Sequence, residues 1–303
     1  MIEGRTCIKG LVIKKISDFF YVKSEQHTYV SKPRGVFKKE KKDIRVGDYV
    51  DITVTHEYDK EAVIEKIHTR KNSLIRPNVA NIDNILTVFS AKEPAFNFFL
   101  VDTFLVTIEN IGIHSIIVIN KSDLEKEGNC RHYEDIYKSI GYETVCVSTY
   151  TGEGIQSLKS VLKSGITVVA GPSGVGKSSI INMLSDKFDQ KTSQISTRLQ
   201  KGKNTTTYAS MLQIGDGSYI VDTPGFTSIR TDEIKKEELK NCFVEFYRYS
   251  SGCFYASKCM HDKEPDCAVK DALERGDIHE SRYLSYIGML KNAEKAEKRR
   301  KYR

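Results

Sequence analysis

The chain has 303 residues, of which 39% are hydrophobic and 29% are charged, and its formal net charge is +7. This composition is typical of an ordinary folded protein and excludes an intrinsically disordered one. Because no stretch reaches the roughly 18 apolar residues of a membrane helix, and the N-terminus lacks the apolar core of a signal peptide, we expect a cytoplasmic protein with no membrane partner.

Short apolar runs separated by glycine or charged breaks predict five strands in residues 5–70. They are Thr6–Ile13, Phe19–Val22, Thr28–Val30, Tyr49–Val54 and Ala62–Ile67. Five short strands in so little chain are typical of a small barrel such as an OB-fold, which often binds RNA or single strands. An SH3-like barrel would have a similar pattern, so both barrels remain open.

After Arg76-Pro77 the pattern changes to alternating strands and helices. The predicted strands are Ile82–Phe89, Ile113–Asn120, Thr144–Val147, Thr167–Ala170 and Ser218–Val221. The predicted helices are Phe98–Ile111, Tyr133–Ile140, a segment that begins at Ile155, and Lys177–Leu184. This alternation predicts a doubly wound α/β sheet.

A glycine-rich segment between a predicted strand and a predicted helix satisfies G-x-x-x-x-G-K-[ST]. It consists of Gly171, Pro172, Ser173, Gly174, Val175, Gly176, Lys177 and Ser178, and Ser179 follows it. Such a loop directs backbone N–H groups and a helix N-terminus at phosphate oxygens. Lys177 would reach the β- and γ-phosphates, and Ser178 would ligate Mg²⁺.

A D-x-x-G segment, Asp222 to Gly225, follows the strand Ser218–Val221, with Asp222 45 residues after Lys177. The aspartate would hold magnesium, and the Gly225 N–H would approach the γ-phosphate. Between the two segments lies Thr205–Thr207, and one of these threonines, with Thr206 as the candidate, would close over Mg²⁺ and the γ-phosphate as a switch. A plain polar loop is the alternative for this threonine run.

Four polar residues end the strand Ile113–Asn120, and they match N-K-x-D: Asn120, Lys121, Ser122 and Asp123. The Asp123 carboxylate would accept from guanine N1–H and from the N2 amino group, a pattern that adenine lacks. Asn120 would bond the base and brace the phosphate loop, and Lys121 would pack on the purine. Ser148, after the next strand, is placed to offer a backbone N–H to guanine O6.

The order of these segments is unusual, because the base-reading residues precede the phosphate loop. In a standard GTPase the phosphate loop, switch and D-x-x-G segment come first. Domains often tolerate circular permutation, since their termini tend to lie close together. We therefore predict a circularly permuted GTPase.

A cluster near the C-terminus, Cys253, Cys259, His261 and Cys267, offers three thiolates and one imidazole within 15 residues. This donor set suits a closed, structural Zn²⁺ site, and chance clustering of free thiols is the alternative.

The other cysteines, Cys7, Cys130, Cys146 and Cys242, are isolated in the sequence, and we expect them to be buried or incidental thiols. The odd total of seven argues against a disulfide framework.

Residues 32–45 and 291–303 each carry seven basic and two acidic side chains. Either segment alone would be an ordinary solvated surface. Two of them at opposite ends of the chain favour contact with nucleic acid.

Taken together, these features resemble the circularly permuted ribosome-biogenesis GTPases of bacteria, the RsgA family. The resemblance rests on RPNVANID (residues 76–83), NKSD, GPSGVGKS, GKNTTT, DTPGF and the Cys/His cluster, and it covers nearly the whole chain. It implies a monomeric GTP hydrolase in late maturation of the small (30S) ribosomal subunit, with GTP/GDP, Mg²⁺ and one Zn²⁺ as cofactors and ribosomal RNA as partner.

The expected division of the chain is an OB-like RNA-binding domain (residues 1–72), a permuted GTPase domain (73–230) and a helical zinc-binding domain with a basic tail (231–303). Lys177, Thr206 and Asp222 are the candidate catalytic residues. An RNA-binding scaffold with a merely structural nucleotide site is the alternative function, and an ATPase or kinase is a third.

Three positions bear on catalysis and metal binding. Asn204 stands where the family usually has a histidine before the triple threonine, so Asn204 is only a candidate for positioning water. Phe226, after DTPG, cannot orient water as the glutamine of Ras-like enzymes does. Five residues separate Cys253 from Cys259, where four are usual, which asks for a longer loop around the metal.

Overall fold

The computed structural model describes residues 7–25, 27–35, 37, 43–75, 77–162, 164–185, 210–222 and 234–301. The predicted roles of Asn204, Thr205–Thr207, Gly225 and Phe226 fall on residues outside this description. Contacts divide the chain into two compact units. The first comprises Met1–Asn84, Lys159–Val169 and Lys177–Phe226, and the second comprises Ile85–Leu158, Ala170–Gly176 and Thr227–Arg303.

The regular elements of the described residues are as follows. The strands are β1 (Cys7–Ile16), β2 (Phe19–Lys23), β3 (Thr28–Pro33), β4 (Tyr49–His56), β5 (Glu61–Ile67), β6 (Ser73–Leu74), β7 (Val79–Ala80), β8 (Asn84–Ser90), β9 (His114–Asn120), β10 (Glu143–Cys146), β11 (Gly165–Ala170), β12 (Ser210–Gly215) and β13 (Ser218–Asp222). The helices are α1 (Phe98–Asn110), α2 (Asn129–Ser139), α3 (Ile155–Val161), α4 (described over 177–185), α5 (Lys236–Leu239), α6 (Tyr247–Ser250), α7 (Ala268–Glu274) and α8 (Glu280–Lys301).

The first unit begins with a closed five-stranded barrel. Its strand order is β1-β2-β3-β5-β4, and β4 pairs back with β1, so the sheet has no free edge between them. Side chains alternate along each strand, and the inward set forms an apolar core. Its members include Val12, Val22, Val50, Ile52 and Ile64, each with none of its surface exposed.

The rest of the first unit extends the barrel's sheet. β11 runs parallel to β13, β12 is antiparallel to β13, and Lys14 of β1 pairs with Ser210 of β12. The carboxyl ends of β11 and β13 therefore point to the same edge. Helix α4 follows the phosphate-loop segment, and Asp222 is the last residue of β13.

The second unit contains the strand order β10-β9-β8, with β9 and β10 parallel. From Ser115 onward every residue of β9 is buried, as expected of a strand covered on both faces. Helix α1 begins at Phe98 because the Asn97 side chain accepts from the Leu100 N–H, 3.0 Å away, and so caps the first turn.

The C-terminal part of the second unit is helical and has its own core. Phe243, Phe246, Val269, Ala272 and Tyr286 are at most 1% exposed there. Helix α8 packs closely on α1, because a Cβ at Gly288 would lie 2.8 Å from Phe99 Cε2. A larger residue at this position would therefore force the two helices apart.

The parts of the predicted fold are present: a five-stranded N-terminal barrel, an α/β region with a phosphate-loop segment and a C-terminal Cys/His cluster. Strands β6, β7 and β12 were missed. Helix α2 starts at Asn129, four residues before the predicted Tyr133. Within the described residues, no helix combines the length and apolarity needed to cross a membrane.

Candidate nucleotide site and metal centre

Asn120 joins three segments of the second unit. Its fully buried side chain donates from Nδ2 to the Val175 carbonyl, at 2.9 Å, and accepts at Oδ1 from the Thr149 N–H, at 3.2 Å. The base-reading strand is thus hydrogen-bonded to the phosphate loop and to the loop after β10. The structure brings together residues that lie 55 positions apart in the sequence.

The chain changes direction sharply after Asn120. Lys121 adopts a left-handed conformation with φ of 63°, and Ser122–Leu124 forms a short 3-10 turn. The Ser122 N–H donates to the Val147 carbonyl at 3.1 Å, and Lys121 Nζ donates to the Glu93 carbonyl. The first bond holds the Asp123 loop against the segment that follows β10, and the second ties it to the segment that follows β8.

Asp123 is oriented by Ser148. The Ser148 hydroxyl donates to Asp123 Oδ1 at 2.5 Å, and Ser148 Oγ accepts from the backbone N–H groups of Tyr150 and Thr151 at 3.3 and 3.1 Å. Since Ser148 is fully buried, its hydroxyl has little freedom to point elsewhere. The half-buried carboxylate is therefore fixed in direction before any base arrives.

The phosphate-loop segment has the backbone that its glycines predict. Gly171, Gly174 and Gly176 have φ of 139°, 80° and 94°. A Cβ at Gly171 would lie 2.2 Å from the Val88 carbonyl oxygen, and one at Gly176 would lie 2.3 Å from Asn120 Nδ2. At Gly174 the space is open within 4 Å, so this part of the loop can admit a phosphate group.

Burial differs between the residues of this segment. Val175 is 1% exposed and anchors the loop, and Pro172 is half-buried, whereas Ser173 is exposed. Ser178 and Ser179, in the first turn of α4, are exposed as well. Burial lowers the pKa of Lys177, and a bound phosphate would supply the negative charge that favours its protonated form.

The observed residues fit a purine nucleotide. Beyond the oriented carboxylate and the open loop, the buried Ser122 Oγ has no hydrogen-bond partner among the described residues, and a ligand could satisfy it. Asp222 ends β13 at the same sheet edge toward which β11 runs. Thr206, Asn204 and Gly225 are not among the residues described.

The metal centre is formed by Cys253, Cys259, His261 and Cys267, all buried, with ligand atoms that lie within 4.8 Å of one another. Tetrahedral Zn–S bonds of about 2.3 Å place two sulfurs about 3.8 Å apart. The Sγ atom of Cys267 lies 3.9 Å from that of Cys253 and 3.8 Å from that of Cys259. The His261 Nδ1 atom lies 3.4 Å from Cys267 Sγ. These are the edges of a tetrahedron of the size that zinc needs.

The protonation preferences of the cluster also fit a resident cation. Burial lowers the pKa of His261 to about 4, which keeps the imidazole neutral, as ligation requires. Burial raises the pKa of Cys259, so its thiolate needs a nearby positive charge. His261 Nε2 faces Ser250 Oγ at 3.5 Å, and Tyr283 donates to the His261 carbonyl at 2.7 Å, which orients the ring.

A buried charge cluster was not foreseen from the sequence. Arg282, fully buried, donates to Glu245 through Nε and Nη2 at 2.7 and 3.0 Å and to Asp102 Oδ1 through Nη1 at 2.6 Å. Tyr137 also donates to Asp102 Oδ1, at 2.9 Å, and Phe243 stacks on the guanidinium at 4.6 Å. No sequence pattern marks these residues, because Arg282 and its partners come from four distant segments.

The sequence matches two family models and relatives that have the same name. The family model described as RsgA GTPase matches residues 67–232, and that of the RsgA N-terminal domain matches residues 9–64. A relative from Caldanaerobacter subterraneus subsp. tengcongensis, named small ribosomal subunit biogenesis GTPase RsgA, is 41% identical and covers 97% of this chain and 98% of its own. A second relative with the same name, from Clostridium acetobutylicum, is 43% identical. That match covers 93% of this chain and 96% of the relative's own length.

Two solved structures agree with these matches. A crystal structure of YjeQ from Thermotoga maritima has a TM-score of 0.80 at 37% identity, and it covers 95% of this chain and 99% of its own. The crystal structure of YloQ, described as a circularly permuted GTPase, has a TM-score of 0.79 at 32% identity. The match covers 97% of this chain and 98% of the YloQ chain. The fold and the site thus define a circularly permuted P-loop GTPase, an enzyme that hydrolyses GTP with Mg²⁺. The chain belongs to the RsgA family.

Proposed function

We propose that this GTPase acts in maturation of the small ribosomal subunit, binds its ribosomal RNA, and is released when GTP is hydrolysed. The observation that carries the proposal is the orientation of Asp123 by Ser148 beside a phosphate loop braced by Asn120. Relatives of about the same length carry a name that places them in small-subunit biogenesis. Both observations support a guanine-nucleotide switch over a scaffold protein.

The proposed roles of the site residues follow from their chemistry. Asp123 reads the guanine edge, and the backbone of Gly171–Gly176 and the Lys177 ammonium hold the phosphates. Ser178, Thr206 and Asp222 would hold Mg²⁺, directly or through water. The ion would neutralise charge on the phosphate oxygens.

Phe226 suggests slow intrinsic hydrolysis, because a hydrocarbon side chain cannot hydrogen-bond the attacking water. We propose that Asn204 or a group of the small subunit orients that water. The isolated protein should then hydrolyse GTP far more slowly than assisted GTPases, whose turnover rate is about 1–10 s⁻¹.

The barrel offers a surface suited to RNA. On its outer face Lys32 Nζ lies 4.8 Å from the Phe19 ring centre, and Lys14 Nζ lies 5.8 Å from that of Tyr21. Phe19 is 41% exposed, so a base can reach it. Aromatic rings for stacking and ammonium groups for phosphates are the two parts of a single-strand binding surface.

We further propose the division into domains of residues 1–72, 73–230 and 231–303, with a monomer as the working state. The barrel and the zinc-binding segment would both contact ribosomal RNA. Binding should weaken steeply with salt, because neutralised phosphates release counterions.

The decisive experiment compares binding to purified small subunits with a non-hydrolysable GTP analogue and with GDP, together with the GTPase rate with and without subunits. We expect tighter binding with the analogue and a stimulated rate. The Lys177→Ala variant should lose both differences. Equal affinity in the two nucleotide states would contradict the switch.

A further inference from the structure

Cys130 and Cys146 are joined by a disulfide bond, contrary to the expectation of isolated thiols. Their Cα atoms lie 6.4 Å apart, within the usual range for a bridge, and 16 residues separate them in the sequence. Cys130 is 6% exposed and Cys146 is half-buried, so the bridge is reachable from one side.

The bridge lies at the ends of both guanine-reading loops. Cys130 is the second residue of α2, directly after the loop that carries Asp123. Cys146 is the last residue of β10, two positions before Ser148. The bond therefore ties the end of one loop to the start of the other.

The two loops also contact each other across the same gap. Ser148 donates to Asp123, and the Ser122 N–H donates to the Val147 carbonyl. Both hydrogen bonds coexist with the bridge, so the bridged form is compatible with the arrangement that orients the base-reading carboxylate. If the loops open to release a base, the two hydrogen bonds between them must stretch. The Cys130–Cys146 bridge beside these hydrogen bonds limits how far the loops can separate.

We propose that Cys130 and Cys146 form a reversible redox modification site that controls how tightly guanine nucleotide is bound and therefore how fast it leaves. This inference rests on the proposed role of Asp123 in binding guanine. In the bridged form the loops stay together and release is slow. In the dithiol form they separate more readily and exchange is faster. Disulfides in reducing compartments are usually transient and redox-sensing, which suits such a role.

The bond forms by thiol–disulfide exchange with a small-molecule disulfide such as oxidised glutathione. One cysteine thiolate attacks a glutathione sulfur and expels one glutathione thiolate, which gives a mixed disulfide. The second cysteine thiolate attacks the protein sulfur of that mixed disulfide and expels the other glutathione. The two protons of the cysteine thiols end on the two glutathiones, and the pair has lost two electrons to them.

Thermodynamic linkage gives the proposal a second consequence. If the bridge changes the affinity for guanine nucleotide by some factor, bound nucleotide must change the reduction equilibrium of the bridge by the same factor. GDP should therefore make the bridge harder to reduce. ATP, which lacks the edge that Asp123 reads, should leave the equilibrium unchanged.

The test measures dissociation of a fluorescent GDP analogue from the zinc-loaded full chain in reduced and in oxidised glutathione buffers. Mass spectrometry of peptides reports the Cys130–Cys146 bridge, and metal analysis verifies that zinc is retained. We expect dissociation to be at least about fivefold slower in the bridged form. The double variant Cys130→Ser/Cys146→Ser should show one rate in both buffers, and Cys7→Ser, an exposed cysteine elsewhere, should keep the difference.

The possible failures are distinguishable. Equal dissociation rates with the bridge shown to be present would overturn the inference, and so would the absence of a bridge in the oxidised buffer. In either case GDP binding by the reduced protein would leave the proposed GTPase function intact. If Cys130→Ser/Cys146→Ser fails to fold, the effect of GDP on reduction of the wild-type bridge remains a complete test: no effect would refute the proposal. Reduced protein that binds no GDP would refute the proposed function itself.

Discussion

The loops that we propose read guanine and the Arg282 cluster use charge in opposite ways, although both belong to the second unit. Asp123 is half-buried and is oriented by a single neutral hydroxyl, that of Ser148. Arg282 is fully buried, and its charge is met by two carboxylates and the face of Phe243. A charge that must bind a ligand stays near water, whereas a charge that joins segments is buried and compensated.

The difference predicts where changes in charge affect stability. Removing one partner of the buried cluster leaves an uncompensated charge away from solvent. Altering Asp123 should change only the binding of a ligand at the Asp123 loop. Burial raises the pKa of Asp102, even though the charge of Arg282 and the hydrogen bonds from Ser285 and Tyr137 oppose the shift. The charges of Asp102 and Glu245 raise the pKa of Arg282, against the effect of its burial.

Removal of zinc should have the largest effect on the C-terminal segment. Zinc binding contributes on the order of 10 kcal/mol to the folding of small zinc domains, and without the ion the coordinate bonds that join the four side chains are lost. Chelation, or Cys259→Ser, should abolish the cooperative unfolding of this segment, followed by near-ultraviolet circular dichroism of its tyrosines. Metal analysis should find one zinc per chain. A segment that unfolds identically after full chelation would contradict a structural zinc site.

Arg282→Ala should destabilise the protein by about 3–5 kcal/mol, because it leaves Asp102 and Glu245 as buried carboxylates without a cation. Urea unfolding measures this loss. Arg275→Ala is the matched control: Arg275 pairs with Asp277 at 3.0 Å, but both side chains are exposed, so about 1 kcal/mol or less should be lost. Similar losses in the two variants would remove the distinction drawn between buried and exposed charge.

Mild acid should weaken the second unit through His279. Burial lowers the pKa of His279, with a further contribution from His132, and Glu280 and Asp102 oppose the shift. The unfolded chain therefore takes up the proton first, so stability is full above the ordinary histidine pKa and is lost as pH falls below it. His279 is half-buried and solvent screens part of its interaction, so about 0.5 kcal/mol or less is expected. His279→Asn should flatten the melting temperature between pH 7 and 5.5, relative to wild type.

Asp123→Asn should leave stability within about 0.5 kcal/mol of wild type, since the side-chain Oδ1 can still accept from Ser148. The amide cannot accept from both guanine N–H groups, so affinity for GTP should fall roughly tenfold to a hundredfold. Affinity for xanthosine triphosphate should rise in turn. Competition binding with the two nucleotides provides the measurement. A stability loss as large as that of Arg282→Ala would place Asp123 among the structural charges.

Most of the fold could be predicted from local patterns in the sequence. The strands of the barrel and the α/β region were predicted within a few residues, because alternation and buried runs depend on side chains close in sequence. Strand β12 was missed, since it is defined by its pairing with β13 and β1 rather than by its own composition. The roles of the predicted site residues, Thr206 and Gly225 among them, remain predictions.

The spacing of residues in the sequence was enough to predict a phosphate loop, a guanine-reading element placed before it, and a set of zinc ligands. Each prediction rests on residues whose spacing in the sequence favours a particular local backbone conformation. Only the tertiary structure decided that Asn120 braces Val175, that Cys130 meets Cys146, and that Arg282 is buried between Asp102 and Glu245. These contacts join remote segments, and a side chain's burial and partners are set by packing that no local pattern encodes.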